Sequence, residues 1–364
     1  MDRVGREADP PERVDSHGVT HRRFHMPPEW ALHDGCWMLW PHRRDTWRLG
    51  GVPAQRAFGE VAAVIARSEP VTIGVMPELV DTARAALAPE IDVIELASDD
   101  AWMRDVGPTY AVDDHGHRRG IDWMFNAWGG LYDSWQQDDA VAARVLEHTG
   151  DLGIRAPLVL EGGSIEVDGE GTVLTTEQCL LNPNRNPSLS REDIERELRE
   201  HLGVERVLWL GEGVVDDETS GHIDNLARFV RPGVVALTWT DDTADPQHAV
   251  SLDARRRLEA AGLDVCVVPS PGPLFMTAEE SAGVEVVPGT KRRSAGDRLA
   301  GSYINFYIAN GAVVAPLLDE RVDDTALGVL GDLFPDRSVV GVPAREILLG
   351  GGNIHCITQQ VPAA

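Results

Sequence analysis

The sequence predicts a mixed α/β fold with no internal linker. Short apolar runs rich in β-branched residues alternate with amphipathic stretches along the 364-residue chain, and no stretch rich in Gly, Ser or Pro interrupts them. This alternation is typical of strands covered by helices. Residues 162–166 (GGSIE) also resemble residues 351–355 (GGNIH). Such an echo is typical of a repeated supersecondary unit, although so short a match in a glycine-rich chain also arises by chance.

The predicted strands are apolar and β-branched, and the predicted helices are amphipathic. The strands cover residues 71–75, 173–177, 204–210, 234–239, 265–269 and 304–318. The helices cover residues 54–68, 138–149, 190–202, 248–262 and 323–334. Residues 190–193 (SRED) have the form of a capping box, and Gly203 follows the same helix as a stop signal.

The N-terminal residues predict a tail rather than part of the fold. Residues 1–25 are polar and lack the apolar segment of a secretory signal. We expect them to be mobile. We expect residues 26–364 to form a single catalytic domain.

The composition is that of a soluble cytoplasmic protein. Apolar residues make up 43% and charged residues 25% of the chain, and no window is apolar enough to span a membrane. The four cysteines form no C-x-x-C pair, so reduced thiols are expected. A net charge of -26 repels nucleic acid and anionic membranes and attracts small cations.

Four segments place reactive side chains beside glycine or proline, where the backbone can turn sharply or approach a ligand. They are residues 101–110 (AWMRDVGPTY), 160–167 (LEGGSIEV), 217–229 (DETSGHIDNLARF) and 350–356 (GGGNIHC). Together these segments supply a thiol, an imidazole and several carboxylates. The glycines of the last segment, Gly351 and Gly352, would let the backbone lie close to a planar substrate.

Strand alternation suggests which histidine partners the thiol. If Gly221 opens a strand, His222 and Asp224 point to the same face. In a strand, the adjacent His355 and Cys356 would point to opposite faces. We therefore predict His222, rather than His355, as the base that acts with Cys356.

The number of carboxylates indicates the kind of substrate. A Cys/His/Asp set also suits a cysteine protease or amidase. However, Asp105, Glu161 and Asp224 would repel a developing oxyanion, whereas carboxylates match the planar fork of a guanidinium. Trp102 offers an aromatic face to the same cation. No metal site is predicted, because the sequence lacks C-x-x-C, H-E-x-x-H and any His pair at i and i+4.

At the level of whole motifs, the chain resembles agmatine deiminases of the guanidine-modifying superfamily. The resemblance covers nearly everything after the tail. It is carried by MPPEWALHDGCWMLWP, WMRDVGPTY, LEGGSIEVDGEGTVLTTEQCLLNPNRNP, DETSGHIDNLARFVRPG, SYINFYIANGAVVAP and LGGGNIHCITQQVPA. It implies a five-bladed, pseudo-symmetric α/β propeller of ββαβ repeats around a central active site. It also implies hydrolysis of agmatine to N-carbamoylputrescine and ammonia without a metal or organic cofactor, and a homodimer or larger homo-oligomer.

The resemblance also implies roles for individual residues. The nucleophile falls on Cys356, the general acid/base on His222, and the guanidinium-binding aspartates on Asp105 and Asp224. The glutamate that supports the histidine falls on Glu161.

Two further positions concern the rest of the substrate. Trp102 matches a tryptophan that lines the substrate channel, and Glu218 falls in the stretch that selects the far end of the ligand.

The alternatives to an agmatine deiminase are a deiminase of peptidyl-arginine or of a modified arginine, and a polyamine-binding protein without catalysis.

Overall fold

The structure is a computed structural model that describes residues 23–364. Most of the predicted tail therefore lies outside the described residues. Its last residues, Phe24–His25, form a strand that pairs with Val112 and Asp113, so these two belong to a sheet rather than to a tail.

The strands are short and are numbered along the chain. They are β1 (Phe24–His25), β2 (His33–Leu39), β3 (Val71–Val75), β4 (Asp92–Glu95), β5 (Thr109–Asp113), β6 (Arg118–Met124), β7 (Leu152–Val159), β8 (Glu166–Val167), β9 (Thr172–Thr176), β10 (Arg206–Leu210), β11 (Ala227–Arg231), β12 (Val234–Trp239), β13 (Asp264–Pro269), β14 (Leu274–Phe275), β15 (Arg298–Leu299), β16 (Tyr307–Ile308), β17 (Ala312–Leu317), β18 (Ser338–Pro343) and β19 (Gln359–Pro362).

The helices range from single turns to four turns in length. They are α1 (Val52–Ile65), α2 (Val80–Ala86), α3 (Met103–Val106), α4 (Ala127–Gly130), α5 (Val141–Thr149), α6 (Glu177–Leu180), α7 (Arg191–Leu202), α8 (Ile223–Leu226), α9 (Pro246–Ala260), α10 (Ala278–Ala282), α11 (Asp323–Leu333) and α12 (Arg345–Leu348). None of the helices within residues 23–364 has both the length and the apolar character that a membrane crossing requires.

The sheets repeat one topology. Within the described residues, five sheets contain an antiparallel pair followed by a parallel pair, and a helix crosses over between the parallel strands. The five ββαβ units are β5-β6-α5-β7, β8-β9-α7-β10, β11-β12-α9-β13, β16-β17-α11-β18 and β19-β2-α1-β3. In the last unit, the C-terminal strand β19 pairs with β2 near the start of the described chain. The fold is therefore α/β, and its first and last segments share a sheet.

Apolar side chains of neighbouring units pack together. Ile121 of β6 and Val173 of β9 belong to one buried cluster that also includes Leu198 of α7. Ala236 of β12 and Val313 of β17 share another buried cluster. Successive units are therefore joined by hydrophobic contacts, which supply the main driving force for their association.

The sequence signals for helices are confirmed. The five predicted helices correspond to α1, α5, α7, α9 and α11, with small differences at their ends. Ser190 Oγ accepts a hydrogen bond from the Asp193 N–H, and the Asp193 side chain accepts one from the Ser190 N–H, so the capping box is present. Gly203 ends α7 in the left-handed region at φ 69°, where glycine has no steric cost.

One predicted strand is wrong. Residues 304–318 do not form a single strand, because β16 and β17 are antiparallel partners joined by a turn at Asn310 and Gly311. The Asn-Gly pair is a strong hairpin signal. The apolar residues on both sides of this pair obscured it.

Candidate active site

The predicted site residues occupy the same position in successive units. Asp105, Glu161 and the pair His222 and Asp224 each lie just before the first strand of a unit, namely β5, β8 and β11. Cys356 lies in the same position before β19. The resembling segments at 162–166 and 351–355 also lead into first strands, β8 and β19. Equivalent loops of different units thus bring together residues that are far apart in the sequence.

Gly163 marks the point where three of these groups meet. A Cβ atom at this position would lie 2.6 Å from His222 Nδ1, 2.9 Å from Asp105 Oδ1 and 3.1 Å from Asp224 Oδ2. The Gly163 N–H also donates to Asp105 Oδ1 at 3.0 Å. Only glycine therefore leaves space between the imidazole and the two carboxylates.

Cys356 lies beside these groups and is almost completely buried. Its Sγ is 3.7 Å from Asp224 Oδ2, and Asn305 Nδ2 donates to the same sulfur at 3.3 Å. Asn305 Oδ1 accepts from the backbone N–H of His355 at 2.9 Å. Burial, followed by the charges of Asp224 and Asp105, raises the pKa of Cys356 well above its ordinary value. The isolated site therefore favours the neutral thiol.

The two aspartates differ in how they are paired. Trp128 Nε1 donates to Asp105 Oδ2 at 2.9 Å, and burial raises the pKa of Asp105 to about 6. Burial also acts to raise the pKa of Asp224, but the hydrogen bond and charge of His355 outweigh it and lower that pKa. Asp224 Oδ1 is buried and accepts no hydrogen bond from any residue that the structure describes. The site therefore presents a buried carboxylate oxygen that no residue among 23–364 pairs with.

His222 lies between two carboxylates. Its Nδ1 is 3.8 Å from Asp105 Oδ1, and its Nε2 is 3.5 Å from Glu161 Oε2. Burial disfavours a charged imidazole, but Asp105, together with Cys179 and Glu161, outweighs burial and raises the pKa of His222 well above its ordinary value. The imidazole therefore holds a proton more strongly than a free imidazole does and can give it to a bound molecule.

The predicted substrate-binding residues lie around the thiol, outside the group formed by the histidine and the carboxylates. A Cβ at Gly352 would lie 2.5 Å from Trp102 Cζ3 and 3.1 Å from Cys356 Sγ, so Trp102 and the thiol face each other across this glycine. At Gly351, where φ is 108°, a side chain would collide with Glu218. The glycines thus keep the space between these groups open.

Glu218 is not a free carboxylate. Lys291 Nζ lies 2.7 Å from Glu218 Oε2, and Arg293 Nη2 lies 3.0 Å from Oε1. Burial raises the pKa of Glu218, but the two cations outweigh burial and lower it. A ligand ammonium at this position would compete with Lys291, whose side chain is partly exposed.

The strand geometry predicted for the two motifs is wrong. His222 precedes the short helix α8, and His355 and Cys356 lie in a turn. His355 is held by Asp224 Oδ2, 2.8 Å from its Nδ1, and by Glu29 Oε2, 2.7 Å from its Nε2. These carboxylates, rather than strand alternation, determine the direction of its ring. The site nevertheless contains all five predicted catalytic residues.

Comparison with known proteins identifies the family. The family described as Porphyromonas-type peptidyl-arginine deiminase matches residues 25–362. The chain belongs to this family.

Relatives within the family are similar over almost their whole length. An agmatine deiminase of Ectopseudomonas mendocina is 54% identical, with 93% of this chain and 96% of the relative covered. An agmatine deiminase of Pseudomonas putida is 53% identical with the same coverage. The solved structure of the agmatine deiminase of Enterococcus faecalis matches with a TM-score of 0.90 at 44% identity, covering 94% of this chain and 96% of that one.

The sequence analysis missed Asn305, which the unit β16-β17-α11-β18 contributes to the site of this peptidyl-arginine deiminase family member. Asn305 precedes β16 as the other site residues precede their own first strands. The prediction of one long strand at 304–318 concealed this loop. A search for a polar residue in the repeat not yet represented could have found it.

A buried ion network behind the site was also missed. Glu29 Oε2 lies 3.2 Å from Arg104 Nη2 and 2.9 Å from Arg228 Nη2, in addition to its contact with His355. Arg228 Nε lies 3.1 Å from Glu166 Oε2. These residues come from distant parts of the chain, so no local spacing predicts them. The network fixes His355, and through it Asp224.

Two partners of Glu161 were missed as well. Arg185 Nε donates to Glu161 Oε1 at 2.7 Å. The Cys179 thiol donates to Glu161 Oε2 at 3.9 Å. Cys179 is buried, and it contacts the site through Glu161.

Proposed function

We propose that this protein is an agmatine deiminase that hydrolyses the guanidinium of agmatine to N-carbamoylputrescine and ammonia. The observation that carries the proposal is that the buried thiol of Cys356 lies beside the carboxylates of Asp105 and Asp224. One of the oxygens of Asp224, Oδ1, has no hydrogen-bond partner among the described residues. A guanidinium supplies both the positive charge and the planar donors that this arrangement lacks. The names of the relatives support agmatine as the source of that group.

Binding places the substrate carbon against the sulfur. Asp105 and Asp224 accept hydrogen bonds from the guanidinium, and Trp102 lies against it. The bound cation neutralises the two charges that raise the pKa of Cys356, so the thiol gives its proton to solvent and becomes a thiolate once substrate is present. The Asn305 amide donates to the sulfur and holds it in position.

Two steps at the same carbon complete the reaction. The thiolate forms a C–S bond to the guanidinium carbon, and protonated His222 gives its proton to the departing nitrogen, which leaves as ammonia. The product is a covalent amidino-cysteine. His222, now neutral, takes a proton from water, and the hydroxide adds to the same carbon. The C–S bond then breaks, and the proton of the new hydroxyl group passes to the departing sulfur, which releases the ureido product and restores the thiol. Glu161 supports the imidazole in both steps, and such acid–base catalysis contributes roughly 10²- to 10⁴-fold in rate.

A second candidate is the hydrolysis of peptidyl-arginine. It is favoured by the name of the family rather than by the site. Agmatine carries a primary amine where arginine in a peptide carries backbone amides. The pairing of Glu218 with Lys291 bears on this choice, because an ammonium can replace Lys291 at Glu218 whereas an amide cannot.

The experiment that tests the proposal is a substrate panel. Purified protein is incubated with agmatine, arginine, benzoylarginine and dimethylarginine, and ammonia and ureido product are measured. We expect both products from agmatine, with kcat/KM at least about tenfold above any other compound, which corresponds to about 1.4 kcal/mol of discrimination. Preference for benzoylarginine would establish the second candidate. Agmatine binding without ammonia release would indicate a binding protein.

We also propose that residues 26–364 form one catalytic domain in which the five ββαβ units close into a propeller. The pairing of β19 with β2 supports closure, since it joins the two ends of the described chain. The meeting of equivalent loops at one site supports the pseudo-symmetry. We further propose that the protein is cytoplasmic, that it forms a homodimer or a larger homo-oligomer, and that its reaction contributes to putrescine formation.

A further inference from the structure

Glu161, Cys179 and His222 form a buried cluster in which each residue offers one atom that can bind a metal. Their ligating atoms all lie within 4.8 Å of one another. His222 Nε2 and Glu161 Oε2 are 3.5 Å apart, and Cys179 Sγ and the same oxygen are 3.9 Å apart. His222 Nε2 is buried and makes no hydrogen bond within residues 23–364. A fully buried imidazole nitrogen is thus aimed at a thiol and a carboxylate oxygen.

The two separations that involve Glu161 Oε2 are close to those of a tetrahedral metal site, and the third, between Cys179 and His222, is within 4.8 Å. Zinc bonds of about 2.0–2.3 Å place neighbouring ligand atoms roughly 3.3–3.7 Å apart. The Cys179–Glu161 distance needs to shorten by only a few tenths of an ångström. Thiolate with imidazole favours Zn²⁺ and Co²⁺ over Mg²⁺ and Ca²⁺, which prefer oxygen ligands. Glu161 Oε1 is occupied by Arg185, so Glu161 would bind the ion through Oε2 alone.

We propose that Glu161, Cys179 and His222 bind a soft divalent cation such as Zn²⁺, and that its binding inhibits the enzyme. The ion bonds to Cys179 Sγ and His222 Nε2 and displaces a proton from each, and Glu161 Oε2 is the third protein ligand. The imidazole is then neutral and held by the metal. The inhibition rests on the proposed function, in which His222 must carry a proton, whereas the binding does not.

Two charged groups beside the cluster act on the bound ion in opposite directions. Arg185, which lies 2.7 Å from Glu161 Oε1, repels the ion. Asp105, 3.8 Å from His222 Nδ1, attracts it. Agmatine, whose guanidinium would sit near Asp105, should therefore compete with the metal through charge repulsion. The site is expected to act as a reversible inhibitory site rather than as a structural one.

Cobalt spectroscopy tests the ligand assignment without relying on activity. Full-length protein is titrated with Co²⁺, and thiolate-to-cobalt charge-transfer absorption is recorded for wild type, Cys179→Ser, Cys356→Ser and Cys36→Ser. Cys36 is a buried thiol outside the site, so Cys36→Ser is the matched control. We expect the band in wild type, Cys356→Ser and Cys36→Ser, and its loss in Cys179→Ser. A band that survives in Cys179→Ser, disappears in Cys356→Ser, or is absent from wild type overturns the proposal.

X-ray absorption of the zinc-loaded wild-type protein gives the same answer without any variant. One sulfur ligand together with nitrogen and oxygen ligands is expected, and a spectrum without sulfur overturns the proposal. For inhibition, Cys179→Ser should require about 10- to 100-fold more Zn²⁺ than Cys36→Ser for the same loss of agmatine hydrolysis. Equal sensitivity of the two variants would contradict the inhibitory role. Absence of agmatine hydrolysis from the metal-free wild type would instead contradict the proposed function and leave the spectroscopic result standing.

Discussion

Asp105 is the residue whose buried charge is expected to pair directly with the guanidinium of the substrate. Its carboxylate is buried and is anchored by Trp128 and by the Gly163 N–H. Asp105→Asn would keep the shape but remove the charge that faces the guanidinium. Leaving a buried charge half-paired costs about 3–5 kcal/mol, so kcat/KM for agmatine should fall roughly 10²- to 10⁴-fold. Steady-state kinetics measures this. The control is Asp122→Asn, because Asp122 on β6 is a carboxylate that pairs with Arg155 on β7. Unchanged kcat/KM would mean that Asp105 is only structural.

The pKa of Asp105 also predicts how activity depends on pH. Burial raises this pKa to about 6, so the carboxylate loses its charge as the pH falls through that value. The charged form binds the guanidinium, hence kcat/KM should fall on the acid side of about pH 6. Because kcat/KM reports ionisations of the free enzyme, its pH profile between about pH 5 and 8 is the measurement. A flat profile down to about pH 5 would contradict the assignment.

The site residues show how far single positions can be predicted. Cys356, His222, Asp105, Asp224 and Glu161 were all named from the sequence, because reactive groups beside glycine form recognisable motifs. The roles proposed for them remain predictions. Asn305 and Arg185 were not named, since amide and guanidinium groups are common and neither lies in a distinctive pattern.

At the level of elements, the turn at Gly162–Ser164 controls the space in the site. Gly163→Ala would place a Cβ 2.6 Å from His222 Nδ1 and 2.9 Å from Asp105 Oδ1. Both groups must move, and misplacement by about 1 Å can cost 10²-fold in rate. We expect a folded protein with kcat/KM reduced at least about 10²-fold. Gly328→Ala in α11, where nothing lies within 4 Å of the added carbon, is the control. Wild-type kinetics for Gly163→Ala would show that these groups do not meet there in solution.

The elements also explain which predictions failed. Helices were predicted well because the 3.6-residue period extends over three turns or more and caps mark the ends, as in α7. GHID and NIHC were interpreted as strands, but alternation over four residues does not distinguish a strand from a turn. Tertiary contacts of His222 and His355 decide these local conformations. The choice of His222 as the partner of Cys356 rested on an incorrect local geometry and remains a prediction.

For the whole molecule, the strong negative charge should assist binding of a cation. The net charge is -26, and agmatine is positively charged at both ends. Raising the ionic strength from about 0.01 M to 0.15 M shortens the Debye length from about 30 Å to 8 Å. We therefore expect kcat/KM to fall over this range while kcat stays constant, since steering acts on association. Initial-rate assays at a series of NaCl concentrations measure both kcat and kcat/KM. A kcat/KM that does not depend on salt would exclude electrostatic steering of the substrate.

The repeated unit connects the sequence echo to the site. Two related segments, at 162–166 and 351–355, suggested repetition, and each leads into the first strand of a ββαβ unit. The other three units carry different residues at this position, so similarity of sequence alone could not count them. Clusters such as Glu161, Cys179 and His222 depend on how the units pack, and no spacing along the chain predicts them.

The central claim is that Cys356 performs hydrolysis of agmatine. The direct measurement is product formation by Cys356→Ala, with binding of agmatine followed by calorimetry. Cys36→Ala, which removes a buried thiol outside the site, is the matched control. The account predicts that wild type and Cys36→Ala each release ammonia and N-carbamoylputrescine in equal amounts. Cys356→Ala should release neither product but should still bind agmatine. Turnover by Cys356→Ala at the wild-type rate would contradict the account.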